Sequence, residues 1–136
     1  MQFKKYRIMK KSLYAAILAT VIFSSCANEF NRVYKTSDNT YKYEYAKESY
    51  TNGKYVRAST LLQGLVTMQK GTENAQESLY MLGMAEYNSK DYEGAAATFK
   101  KYFQSYPKGV YAQKAEFYFR MSLYNCTPAP RLDQSQ

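Results

Sequence analysis

The 136-residue chain contains no histidine. That removes the usual base for a cysteine or serine nucleophile and every His-containing zinc site. The GxxxxGK[ST], HExxH and GxSxG patterns are missing as well, and Asn52-Gly53 and Pro107-Lys108-Gly109 read as turns rather than phosphate loops. Glu44, Glu48, Glu73 and Glu77 could form carboxylate pairs, yet helix-surface acids are common and no metal motif accompanies them, so they carry no catalytic assignment. The expectation is a protein without enzymatic activity, metal, cofactor or small-molecule substrate. Long apolar runs are also lacking. The longest, 13–23, would span roughly 16 Å as a helix, about half of a hydrocarbon core near 30 Å.

The flanks of that run give it a meaning. Lys4, Lys5, Arg7, Lys10 and Lys11 precede it with no acidic residue among them, and Ser24-Ser25-Cys26 comes directly after. A basic start, a short apolar stretch and small residues ahead of a cysteine read as a lipoprotein signal peptide over 1–25. Phe23 stands where such lipoboxes usually carry Leu. Cys26 is then the lipidated N-terminus, bearing diacylglycerol and acyl chains such as palmitate, which hold a protein stably on a membrane. Ala27, with no Asp, suits sorting to an outer membrane. The signal also absorbs the apparent basicity. The whole chain has net charge +8 from 19 basic and 11 acidic residues; 19 less the five above leaves 14 basic residues, a net of +3. Such a value is ordinary for a protein surface and gives no reason to expect nucleic acid. With Cys26 lipidated, Cys126 cannot pair with it and reads as a semi-buried small residue near a helix end.

The rest of the chain repeats. Tyr50, Tyr55 and Ala58 recur as Tyr87, Tyr92 and Ala95, each 37 residues on, and Ala46 with Gly83 and Leu62 with Phe99 are matched in kind. The predicted architecture is all-α, a tetratricopeptide-type helix-turn-helix array of two repeats plus one unpaired helix. After a short polar tether over 26–39, repeat 1 occupies 40–70 with helices over about 41–52 and 55–68, and repeat 2 occupies 71–109. The small residues Ala46, Ala58, Gly83 and Ala95 let paired helices approach, with Phe99 filling the space around them and Pro107 closing the second pair. One residue of 36–40 is expected to cap the first helix and Asp91 the fourth, while Asn74 with Glu77 resembles a capping arrangement for the third. A helix over 110–125, apolar nearly all round, begins a third repeat, and a Pro-containing tail occupies 126–136. An unpaired apolar helix implies either a longer array or a docked partner.

Several segments together resemble one family: Ser24-Ser25-Cys26, Tyr43-Glu44-Tyr45-Ala46-Lys47, Lys70-Gly71-Thr72, Lys90-Asp91-Tyr92, Tyr106-Pro107-Lys108-Gly109 and Pro130-Arg131-Leu132-Asp133-Gln134. That family is the BamD-like tetratricopeptide lipoprotein subunit of the outer-membrane β-barrel assembly machine, and the likeness spans the N-terminal half of its length. The resemblance implies an assembly factor anchored on the outer membrane and facing the periplasm. Its implied partners are the barrel-forming core subunit of the machine and unfolded outer-membrane proteins. A tetratricopeptide lipoprotein of another envelope system, such as one coordinating peptidoglycan synthesis, shares the Tyr-Pro-Lys-Gly-x-Tyr-Ala segment loosely.

The 16 tyrosines are the most unusual feature of the composition. Most should pack the repeats, since the ring can be buried while the hydroxyl reaches a polar partner. Tyr43, Tyr50 and Tyr87 are the candidates for a concave face contributed by the first helix of each pair, where they would contact an extended, aromatic-rich peptide. Lys100, Lys101, Lys108, Lys114 and Arg120 make the second half locally basic; the alternatives are a solvated face or attraction to anionic lipid or an acidic partner.

Overall fold

The computed structural model describes residues 29–72 and 74–127, in two units that meet in sequence at Ser37 and Asp38. The expected signal segment 1–25, the expected lipidation site Cys26 and the tail from residue 128 lie outside the described residues. In the first unit, part of the expected tether is helical over 29–35. Phe30 and Tyr34 stack there at 6.3 Å, and the Thr36 amide donates to the Val33 carbonyl.

The second unit is all helix: α1 (Asn39–Thr51), α2 (Tyr55–Met68), α3 (Ala75–Asn88), α4 (Tyr92–Ser105) and α5 (Ala112–Cys126). Each helix packs on the next in sequence, and α3 also touches α5, which is the packing of a helix-turn-helix array. The Asp38 carboxylate caps α1, accepting from the Thr40 and Tyr41 amides at 3.0 Å each, and Asp91 caps α4 by accepting from Gly94 at 3.0 Å. α3 starts differently from the expectation. Asn74 already has helical backbone angles (φ −80°, ψ −6°) and no side-chain cap bond. The turn that begins with the Thr72 carbonyl leads straight into the helix, and Glu77 pairs with Lys47 at 3.4 Å instead of reaching back.

The 37-residue recurrence holds atom for atom in the two turns. After α1, Gly53 adopts φ +71°, its amide donates to Tyr50 and that of Lys54 to Ser49. After α3, Lys90 adopts φ +68°, its amide donates to Tyr87 and that of Asp91 to Glu86. Both are Schellman motifs with a left-handed residue after the cap, a slot that favours glycine.

Inside the pairs, the matched positions are buried: Ala46, Ala58 and Leu62 in the first, Gly83, Ala95 and Phe99 in the second. Gly83 makes room for the Phe99 ring, since a Cβ there would lie 2.7 Å from it. Tyr102 is fully buried, and its hydroxyl donates to Gln76 on α3 and accepts from the Tyr111 amide ahead of α5. α4 stops at Ser105, two residues before Pro107, whose ring disfavours helical backbone at the preceding residue.

α5 begins at Ala112, leaving Val110 outside it and exposed. Only Ala115 and Ser122, seven apart, are buried along α5. Phe117, Leu123 and Tyr124 are exposed, and Arg120, which stands 37 after Gly83, makes an exposed pair with Glu116 at 2.8 Å. Cys126 is exposed rather than semi-buried, as is the whole stretch 123–127, because only Ala115 and Ser122 of α5 are turned into the packed side.

Candidate functional site

The 37-residue recurrence places aromatic residues in two sets on the first helix of each pair. One set is Tyr43, Tyr80 and Phe117; the other, seven residues later on each helix, is Tyr50, Tyr87 and Tyr124. Seven residues are about two helical turns, so both sets lie along one side of α1, α3 and α5.

The second set is held by a repeated contact. Tyr50 meets Tyr55 edge-on at 5.5 Å and 67°, and Tyr87 meets Tyr92 at 5.4 Å and 68°. These T-shaped pairs put the positive edge of one ring on the negative face of the other, which fixes ring direction beyond what burial does. Tyr87 is also edge-on to Tyr118 of α5 at 5.1 Å, and its hydroxyl accepts from the Asn125 amide at 3.3 Å. Tyr124 has no tyrosine 5 residues later, and it is 75% exposed.

Tyr80 anchors the middle of the first set. It stacks on Tyr111 at 4.5 Å with rings 7° from parallel, and lies near Phe99 and Tyr102. Tyr118 stacks on Phe99 at 5.7 Å. Burial, helped by the neighbouring phenols, raises Tyr50 above its ordinary value and pushes Tyr80 up to about 12. Both hydroxyls therefore remain neutral at any physiological pH, able to donate and accept hydrogen bonds beside exposed ring area.

Tyr43 belongs elsewhere. It is buried, and the Lys47 ammonium sits 5.3 Å from the ring centre. Burial first, then the adjacent Glu77 carboxylate, raises its ionisation well above the ordinary phenol range. With Lys47 and Glu77 it forms a clamp between α1 and α3, so of the three expected contact residues only Tyr50 and Tyr87 stand on the partly open face.

Sequence reasoning passed over Tyr80 and Tyr118. Tyr80 was detectable, being 37 after Tyr43 and seven before Tyr87. Tyr118 was not, because the residue 37 before it is Met81, and only packing of α5 brings its ring to Tyr87. The basic residues Lys100, Lys101, Lys108, Lys114 and Arg120 are all exposed, and Arg120 is ion-paired.

The buried carboxyl of Glu86 is a different feature, sandwiched between α2 and α4. One oxygen accepts from Gln63 at 3.5 Å, and burial raises its ionisation above the ordinary value against the lowering effect of hydrogen bonding by Thr98 and Gln63. Among the described residues no three His, Cys, Asp or Glu side chains gather as a metal-binding group, and no helix is long and apolar enough to cross a membrane. Chemically, the tyrosine face offers ring surfaces and neutral hydroxyls, which suits apolar or aromatic side chains beside a hydrogen-bonding backbone. Comparison with protein-family models gives no match, and neither does comparison with curated protein sequences.

Proposed function

We propose that the chain is a lipid-anchored, tetratricopeptide-type scaffold of the outer membrane that takes part in the assembly of β-barrel outer-membrane proteins. In this reading it is not an enzyme. Acyl chains on Cys26 hold it at the membrane, and the helices bind partner subunits of the assembly machine, unfolded barrel proteins, or both. The supporting observation is the ordered tyrosine face of α1, α3 and α5, in which Tyr50 packs on Tyr55, Tyr80 on Tyr111 and Tyr87 on Tyr118 while Phe117 and Tyr124 stay open. Rings already fixed by T-shaped and stacked contacts lose little freedom on gripping a ligand, which favours binding of an extended chain with aromatic side chains.

The test is titration of the full chain with a synthetic peptide carrying the aromatic C-terminal strand of a barrel protein. The Tyr50→Ala/Tyr87→Ala variant should bind at least about tenfold more weakly, with the helical CD spectrum retained. A Phe117→Ala/Tyr124→Ala variant, altering only exposed rings, provides the check should the first unfold. Unchanged affinity in a folded variant of both kinds sinks the assignment. Recovery of peptidoglycan enzymes instead of the barrel-forming subunit in affinity purification would move the chain to another envelope system.

A further inference from the structure

A cavity of about 200 Å³ opens where the C-terminal ends of α2 and α4 meet the first turns of α3. Its floor is apolar: Val66, Ala75 and Leu79 are all buried. Its rim is cationic and hydroxylic. Lys70 and Lys101 stand there exposed, with Ser105 and Tyr106 beside them. Neither ammonium has a carboxylate within ion-pair distance among the described residues, and none of the lining residues is acidic.

The mixture of floor and rim selects a ligand chemistry. A phosphate would leave oxygens facing Val66 and Leu79, where stripping their water has no compensating donor. A purely apolar group would gain nothing from the two lysines. A carboxylate has two oxygens on one carbon and an apolar substituent behind it, which matches two cations above an apolar floor.

We propose that this cavity binds an aliphatic carboxylate, its carbon body against Val66, Ala75 and Leu79 and its oxygens between the Lys70 and Lys101 ammonium groups. The Ser105 and Tyr106 hydroxyls are further donors at the rim. Two sources carry this chemistry, a free short-chain acid and the C-terminal residue of a polypeptide. The site shares no residue with the tyrosine face, so it stands or falls independently of the assembly role.

The experiment monitors the methyl resonances of Val66 and Leu79 in the full chain during titration with hexanoate and, separately, N-acetyl-leucine. At least one should give saturable shifts, and hexanoate alone or N-acetyl-leucine alone identifies the source. Binding should weaken about tenfold or more in Lys70→Gln/Lys101→Gln, and it should weaken as salt rises. Absence of saturation with both ligands overturns the proposal. So does equal binding by the folded double variant, or equal binding of 1-hexanol or inorganic phosphate. If the double variant loses its helical signal, Lys101→Gln and the salt dependence decide, and affinity indifferent to both overturns the proposal.

Discussion

Replacing Gly83 by alanine isolates its close packing against the Phe99 ring in the second repeat. In an unconstrained helix interior the change would stabilise the protein by about 1 kcal/mol, since glycine is a poor helix former. Here the new Cβ would lie 2.7–2.9 Å from three atoms of the Phe99 ring, and something must move. The ring has little room to do so. It is fully buried, with the rings of Tyr80 at 6.0 Å and Tyr118 at 5.7 Å. Overpacking of this kind costs about 1–3 kcal/mol, and more than offsets the propensity gain when relief requires several rings to shift. The expected net loss is about 1 kcal/mol, lowering Tm by roughly 4–8 °C for a domain of this size. Gly64→Ala is the internal control, because it is also inside a helix but has nothing within 4 Å of the added Cβ. That variant should gain about 0.5–1 kcal/mol. Paired thermal and urea unfolding followed by CD measures both. A Gly83→Ala protein as stable as Gly64→Ala would refute the close-packing argument.

Two further perturbations probe the turns and the buried carboxyl. Lys90→Gly should raise stability by about 0.5–1 kcal/mol, because Lys90 occupies a left-handed conformation (φ +68°) that glycine adopts without strain; Gly53→Ala, in the same slot one repeat earlier, should lose a similar amount in urea titrations. Glu86 has its ionisation raised by burial, so the stability it contributes is complete below its unfolded value near 4.5 and is lost as pH rises through the folded value. Glu86→Gln should therefore flatten the decline of urea midpoint above pH 4.5 and leave the variant more stable than wild type at pH 7.5; an unchanged pH slope would show that the carboxyl is better solvated than its burial indicates.

The helix boundaries were legible because several local signals agreed. Asn52-Gly53-Lys54 and Ser89-Lys90-Asp91 combine a turn composition with a 37-residue recurrence, and α2 runs over the residues read from the pattern. Asn74 shows where that logic stops. Its spacing to Glu77 suits reciprocal capping, but the chain enters α3 through an already helical residue, and Glu77 gains more from Lys47 on another helix. Local spacing cannot weigh a tertiary partner 30 residues away. Cys126 illustrates the same limit: helical periodicity places it four residues after buried Ser122, yet burial also depends on how far the neighbouring helix extends.

The tyrosines connect the fold to the proposed binding role. A recurrence of 37 put rings on matching sides of α1 and α3, but it could not distinguish a core ring from a surface one. Tyr43 and Tyr80 are equivalent in sequence, yet Tyr43 is sealed under Lys47 while Tyr80 stacks with Tyr111, a residue outside the repeated helices. The difference arises from the helix packed against each repeat: α3 and its ion pair cover Tyr43, whereas α5 brings Tyr118 to Tyr87 and leaves Phe117 and Tyr124 open. Arg120 sharpens this point. At the position where Ala46 and Gly83 admit a closely packed second helix, an arginine paired with Glu116 presents bulk and charge. A helix approaching α5 as α4 approaches α3 would meet that pair, since Arg120 lies between Phe117 and Tyr124 on the same side of the helix.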